Sequence, residues 1–258
     1  GNDASIALAE HIAGSESVFA SMMNTQARKL GMLNTNFVNS SGLPHPDHYT
    51  TAEDIAKVAI ATIRNFPEYY SWYSEKDFEF NGIRQSNRNK LLWKDKSVDG
   101  LKTGHTEAAG YCLVSSAKRE GMRLLSVVMG TNSMKSREEE SLKLLNYGFR
   151  FFETHKLYSA GDTLSTAKVW KGASDRLPVG INNDLFITIP RNQYDKLEAS
   201  IELNSLITAP ISENQQLGNL IINLSGDTLI EQPLVALNAV AEGGFFGNLI
   251  DNVMMMLE

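Results

Sequence analysis

Residues 98–129 read VDGLKTGHTEAAGYCLVSSAKREGMRLLSVVM, and the fold class turns on them. A short strand from Val98 leads into Lys102-Thr103-Gly104-His105. The β-rich runs Tyr111 to Ala117 and Met122 to Met129 then flank a turn at Lys118-Arg119-Glu120-Gly121. Two such runs around a glycine-containing turn predict a β-hairpin. Lys-Thr-Gly alone fits two pictures. One is an exposed edge strand bearing a solvated lysine. The other is a strand whose backbone donors and acceptors take an extended peptide, with a cation beside it for negative charge and a glycine that permits close approach.

Outward from the hairpin, helical and extended patterns are mixed up to about residue 155. Gly1-Asn2-Asp3-Ala4 precedes a helical stripe of Ile6, Leu8 and Ile12, where Asn2 reads as a helix cap. Ser17 to Leu30 reads as a helix ended by Gly31. Thr51, with Asp54 three residues on, predicts a variant capping box ahead of Ile55, Val58, Ala59 and Ile63, and Pro67 closes that helix. Ser136, followed by Glu138, Glu139 and Glu140, predicts the start of a helix carrying Leu142, Leu145, Phe149 and Phe152 on one stripe. After Lys156 helical periodicity disappears. Ala167–Trp170, Leu185–Ile189, Ala199–Leu203, Leu217–Leu224 and Thr228–Ile230 read as strands, with turns at Asn182-Asn183-Asp184 and Ser225-Gly226-Asp227. Phe245 to Glu258 puts Phe246, Leu249, Ile250, Val253 and Leu257 on one helical face.

Composition narrows the class. The chain has 258 residues, 42% apolar and 21% charged, which is ordinary globular content. Its 24 Lys+Arg against 30 Asp+Glu leave a net charge of −6, against a general nucleic-acid partner. Cys112 stands alone and cannot close an intramolecular disulfide. No apolar run approaches the roughly 20 residues that cross a bilayer. His11, His45, His48, His105 and His155 form no spaced ligand set, and no glycine-rich phosphate loop is present, so neither metal nor cofactor is expected. The chain opens on Gly1 without an initiator Met or a leader, so its beginning is expected to be processed, cut, or recorded from an internal position.

Gly1-Asn2, Lys102-Thr103-Gly104-His105-Thr106 and Ala109-Gly110-Tyr111, in that order, resemble the serine D-alanyl-D-alanine carboxypeptidases, the low-molecular-mass penicillin-binding proteins of the bacterial cell envelope. The similarity extends through Ser41-Gly42-Leu43, Asn81-Gly82-Ile83-Arg84-Gln85, Asn87-Arg88-Asn89, Leu91-Leu92-Trp93, Gly148–Thr154, Thr188-Ile189-Pro190-Arg191 and Phe245-Phe246-Gly247, which is nearly the whole chain. The family uses Ser-x-x-Lys, Ser-x-Asn and Lys-Thr-Gly. Only the third is complete here: Asn2 resembles the Asn of the second, whose Ser would precede Gly1, and the first would lie further upstream. Ser115-Ser116-Ala117-Lys118 and Ser165-Thr166-Ala167-Lys168 fit the first pattern in letters only. They fall in predicted strands, where positions i and i+3 face opposite ways.

The resemblance implies an α+β chain. A transpeptidase/β-lactamase-like domain of helices on an antiparallel sheet would occupy residues 1–155, incomplete at its N-terminal end. A small all-β domain over 156–240 and an amphipathic C-terminal segment over 241–258 would follow. It implies hydrolysis of the bond between two D-alanines of a peptidoglycan stem peptide through an acyl-serine, with β-lactam antibiotics as inhibitors. Asn2 would orient the substrate amide. Lys102 would stabilise negative charge and assist proton movement. Thr103 would hydrogen-bond substrate beside Gly104, and the backbone N–H of His105 would donate to the oxyanion. Arg88 and Arg137 match family arginines near the site, where a substrate carboxylate needs a guanidinium. The plainer reading of both is surface arginines paired with acids such as Glu138.

The remaining implied partners are the missing N-terminal segment with its serine and the surface of the inner membrane, on the periplasmic side. The C-terminal segment carries Asp251 and Glu258 but no Lys or Arg, so membrane contact would rest on apolar burial. Two other readings use the same residues: a non-catalytic envelope module that binds peptide along the Lys-Thr-Gly edge, and a β-lactamase, against which the added β domain speaks. A chain without its first strand and serine helix is expected to be poorly stable by itself.

Overall fold

The computed structural model describes residues 1–244, 251 and 254. The chain divides into two compact units, Gly1–Phe151 and Phe152–Glu258.

In the first unit, helix α1 (Asn2–Ala13) ends at Gly14, whose φ of 77° is the left-handed backbone that closes a helix. Helix α2 (Glu16–Lys29) begins where the Ser15 hydroxyl accepts from the Val18 N–H at 3.3 Å. Helix α3 (Ala52–Asn65) is capped by Thr51, which accepts from the Asp54 N–H at 3.1 Å. The reciprocal half of the expected capping box is not made. The Asp54 carboxylate turns instead to the Asn34 N–H and the Thr35 hydroxyl, both at 2.8 Å, and to Lys57. Helix α4 (Pro67–Tyr70) places Pro67 in its first turn, where the missing N–H costs nothing, and a 3-10 turn over Ser71–Ser74 follows.

Strands β1 (Asp77–Phe80) and β2 (Ile83–Ser86) form a hairpin that the sequence reading did not assign, turned by Asn81 and Gly82 at φ 51° and 72°. Helix α5 (Leu91–Lys94) leads to strands β3 (Val98–Thr106), β4 (Gly110–Arg119) and β5 (Met122–Thr131), an antiparallel sheet in the order β3-β4-β5. The predicted turn is a tight one, with Glu120 and Gly121 at φ 48° and 85°. Helix α6 (Met134–Phe151) starts earlier than expected. The Ser133 hydroxyl accepts from the Ser136 N–H at 3.0 Å, so Ser133 is the cap and Ser136 lies within the first turn. Phe152 leaves the predicted helical stripe and begins a strand. Both α3 and α6 pack on this sheet. Leu101 is buried with Ala59 and Tyr70, and a methyl group added at Gly148 would overlap the Leu124 side chain.

The second unit is all-β. Strand β6 (Phe152–Tyr158) pairs with β9 (Leu185–Pro190). Strands β7 (Thr163–Lys168), β8 (Arg176–Gly180), β10 (Leu197–Leu203), β11 (Gln216–Leu224) and β12 (Asp227–Ala236) form a sheet in the order β10-β11-β12-β8-β7. Alternate side chains such as Ile187, Ile189, Leu220, Ile222 and Leu234 fill its core. The strand expected over Ala167–Trp170 stops at Lys168, and Trp170 makes a single bridge to Thr208. Both Ser-x-x-Lys patterns lie within strands, Ser115 and Lys118 in β4, Ser165 and Lys168 in β7. The amphipathic helix expected over Phe245–Glu258 lies outside the described residues except at Asp251 and Met254. No helix among the described residues is long and apolar enough to cross a membrane.

Candidate active site

Strand β3 is an edge of its sheet, and buried and half-buried polar groups fix its first half. Asp99 receives the Tyr70 hydroxyl at 2.6 Å and both terminal nitrogens of Arg123 at 2.8 and 2.7 Å. Arg123 also donates to the Ser116 hydroxyl of β4 at 2.6 Å. Burial first, then the neighbouring Asp99 carboxylate, pushes the Tyr70 phenol well above its ordinary range, so it stays a donor. On the outer side, buried Asn89 donates from Nδ2 to the Gly100 carbonyl at 3.0 Å.

Beyond this anchor come Lys102, Thr103, Gly104 and His105. Lys102 is exposed, and its Nζ donates to the Thr103 carbonyl at 2.5 Å. The protein packed around its amine, and after it the charges of Arg88 and Arg137, hold it below the usual lysine range. Gly104 pairs with Cys112, and a Cβ added there would meet the Cys112 Cβ only at ordinary contact, 3.7 Å. The protein's own packing therefore does not demand glycine at this position. His105 is exposed and stacks on Tyr111 with ring centres 3.9 Å apart.

Arg137, in the first turns of α6, is not a surface arginine. It is 3% exposed, and its Nη1 donates to the Gly104 carbonyl at 3.0 Å and the Cys112 carbonyl at 3.4 Å. Its guanidinium lies 5.6 Å from the Tyr111 ring, and its Nε is buried without a hydrogen-bond partner. Glu138, the expected partner, pairs instead with Lys94 at 2.6 Å. Burial pushes Arg137 below the usual arginine range, against the pull of Glu138. Arg88 sits in the exposed loop between β2 and α5. The Asn87 side chain bonds the carbonyls of Tyr73 and Glu75 and takes the Asn89 N–H, pinning that loop on both sides of Arg88.

The structure thus brings Lys102, Arg88 and Arg137 within electrostatic reach, next to Thr103, Gly104 and His105. Asn2 lies in the exposed first turn of α1, which packs on α2, and no hydrogen bond joins it to this cluster. A groove of about 400 Å³ runs past Lys102, Thr103, Gly104 and Cys112, with Ile55 and Ala59 of α3 in its wall. Among the described residues no group of three or more His, Cys, Asp or Glu could hold a metal. Sequence reading missed the positioning residues Asn89, Asp99 and Arg123. The one available signal was the Asn-Arg-Asn triplet, in which two short amides flank a cation.

The sequence pattern of the family described as D-alanyl-D-alanine carboxypeptidase matches residues 1–133, and that described as penicillin-binding protein 5, C-terminal domain, matches 152–242. The chain is 47% identical over 258 residues to the D-alanyl-D-alanine carboxypeptidase DacA of Escherichia coli strain K12, covering 99% of this chain and 64% of that protein. It is similar to the crystal structure of penicillin-binding protein 5 from Haemophilus influenzae at a TM-score of 0.86 and 44% identity, over 94% of this chain and 71% of that one. Penicillin-binding protein D2 from Listeria monocytogenes in its ampicillin-bound form is similar at a TM-score of 0.54 and 34% identity, over 58% of this chain and 62% of that one.

Proposed function

The chain belongs to the D-alanyl-D-alanine carboxypeptidase family, and on that premise we propose that it is part of a serine D,D-carboxypeptidase acting on peptidoglycan stem peptides. The observation that carries the reading is the β3 edge with its cations. Lys102, Arg88 and Arg137 influence one another, and no carboxylate lies within ion-pairing distance of any of them among the described residues. Such a cluster suits a ligand that brings its own negative charge, as a peptide ending in a free carboxylate does.

In this reading the stem peptide extends along β3 through backbone hydrogen bonds, with its terminal carboxylate toward Arg88 and Arg137. A serine hydroxyl attacks the carbonyl between the two D-alanines, and a C–O bond forms as the C–N bond breaks. The serine's proton passes to the departing amine, with Lys102 assisting; its lowered affinity for a proton favours that role. The His105 N–H donates to the oxyanion and Thr103 to the substrate, while Gly104 leaves room for it. Asn2 orients the amide once the segment before it is in place. Water then cleaves the ester, restoring the hydroxyl and freeing the shortened peptide acid.

The serine comes from outside these 258 residues, in keeping with the 64% of DacA that the chain spans. A β-lactam acylates the same serine, a reading supported by the ampicillin-bound relative. The enzyme works in the periplasm of a bacterium, and residues 241–258 attach it to the outer face of the inner membrane. The test is a fluorescent penicillin. The chain completed with its Ser-x-x-Lys segment acquires one persistent adduct, the 258-residue chain alone acquires none, and Lys102→Ala slows acylation by roughly 10²–10⁴-fold. An unlabelled completed protein would refute the assignment, and rapid turnover of the penicillin would make it a β-lactamase.

A further inference from the structure

Tyr111 ends the Ala109-Gly110-Tyr111 motif and takes no part in the proposed reaction, yet its ring touches two residues that do. The ring centre lies 3.9 Å from that of the His105 imidazole, and the Arg137 guanidinium sits over the ring at 5.6 Å. The backbone beneath it is fixed. Gly110, at φ 64°, packs so closely on the end of β5 that an added Cβ would lie 2.9 Å from the Thr131 carbonyl oxygen and 3.0 Å from the Gly130 carbonyl carbon. Tyr111 pairs with Thr131, whose hydroxyl donates to the Tyr111 carbonyl at 2.9 Å and lies 3.2 Å from the Ser133 carbonyl. That same Ser133 carbonyl takes the Arg137 N–H at 3.2 Å, at the start of α6. Ring and cation therefore stand on one frame.

We propose that Tyr111 is a positioning residue for the substrate's terminal carboxylate, acting through Arg137 by setting the plane of its guanidinium. The inference rests on the carboxypeptidase reading and deepens it at the same site. Hydrogen bonds alone leave that plane loose. Among the described residues only Nη1 of Arg137 is bonded, to the carbonyls of Gly104 and Cys112, while Nε is buried without a partner. The two carbonyls fix where Nη1 lies, and the rest of the group could still swing about it. An arginine fork binds a carboxylate through two parallel N–H bonds only when its plane faces both oxygens. A ring against the guanidinium removes the swing and attracts the cation to its π face. Arg137 is 3% exposed, so little water competes for that contact. A carboxamide in the same place offers one acceptor and a donor that opposes the fork. A guanidinium held in plane therefore distinguishes the free end of a peptide from an amide.

The test assays the completed protein on two N-acylated peptides, one ending in D-alanyl-D-alanine and the other in the carboxamide of the same sequence, by release of the terminal residue. Tyr111→Leu raises KM for the acid about tenfold and leaves kcat within about twofold, because a contact made equally before and during the reaction is lost. For the carboxamide kcat/KM moves by less than about twofold, so the preference for the acid shrinks about tenfold. Tyr111→Phe keeps the ring and keeps the preference. Tyr111→Met, flexible and unbranched, repeats the measurement should the leucine variant fail to fold. A loss shared equally by acid and amide, a fall confined to kcat, full preference in the ring-less variants, or lost preference in Tyr111→Phe overturns the proposal. So does failure of both ring-less variants to fold, which would make Tyr111 a packing residue. A parent that releases no D-alanine and takes up no fluorescent penicillin would sink the carboxypeptidase reading itself, so the two failures are distinguishable.

Discussion

Replacing Asn89 by alanine measures how firmly the β3 edge is held. The residue is 1% exposed. Its Nδ2 donates to the Gly100 carbonyl at 3.0 Å and its Oδ1 accepts from the Leu91 N–H at 3.2 Å, while its own N–H is held by Asn87. Alanine keeps the last bond and removes the other two, stranding a carbonyl and an N–H. Each stranded group costs about 1–3 kcal/mol, which puts the loss near 3 kcal/mol after part of the space admits water. For a body of this size that lowers Tm by roughly 6–12 °C. Scanning calorimetry of the parent, Asn89→Ala and the exposed control Glu79→Ala decides the matter. The control should move by no more than about 1 °C. A drop below about 2 °C for Asn89→Ala would mean that water or backbone relaxation satisfies Gly100 and Leu91, and that the edge is anchored by the Asp99 cluster alone.

Two further predictions concern charge and packing. Because Lys102 is held below its ordinary value of about 10.4, the unfolded chain binds more protons than the folded one between the two values, so stability rises with pH across that window. Lys102→Met removes this rise, and identical pH dependence of the urea midpoints of parent and variant between about pH 8 and about pH 10 would contradict the electrostatic account. In the second unit, a Cβ at Gly218 would fall on the Glu202 carbonyl oxygen across the β10–β11 pair, which is backbone and cannot rotate away. Gly218→Ala therefore costs about 3 kcal/mol, and a melting temperature within about 1 °C of the parent would show that the strands separate without strain.

What could be read from the sequence follows from range. The β4–β5 hairpin was legible because Glu120 and Gly121 supply the left-handed backbone its turn requires within a few residues of two alternating runs. Ser133 escaped notice because its neighbour Ser136 has the same capping chemistry and a run of acids behind it, and only the hydrogen bond from the Ser136 N–H to the Ser133 hydroxyl decides between them. The β1–β2 hairpin was passed over despite its Asn81-Gly82 turn, since Phe78, Phe80 and Ile83 face solvent and gave no core to attach it to. Lys102 stood out by its Lys-Thr-Gly setting on a strand, whereas Arg88 and Arg137 came from the family resemblance alone. Their proximity is a tertiary fact, made by a loop pinned at Asn87 and Asn89, a strand edge, and a helix that begins where β5 ends.

That proximity carries a cost that points to its use. The chain has 30 acids against 24 bases, so a neutralising carboxylate was statistically close at hand for any of the three cations. The fold nevertheless directs the adjacent Glu138 to Lys94 and leaves Arg137 bonded to two backbone carbonyls with one nitrogen unsatisfied. Like charges held together and partly desolvated destabilise the resting protein, and the lowered proton affinity of Lys102 records first the burial of its amine and then the repulsion from Arg88 and Arg137. In the proposed function an incoming carboxylate would meet, in Arg137, a guanidinium already buried and held by two backbone carbonyls, and so regain on binding part of what the cluster loses at rest. The same reasoning explains why the anchor beneath β3 is itself ionic and complete, with Asp99, Arg123, Tyr70 and Ser116 satisfying one another. An edge strand that must carry unbalanced charge at Lys102 needs its other end held by groups that have no further use for a partner.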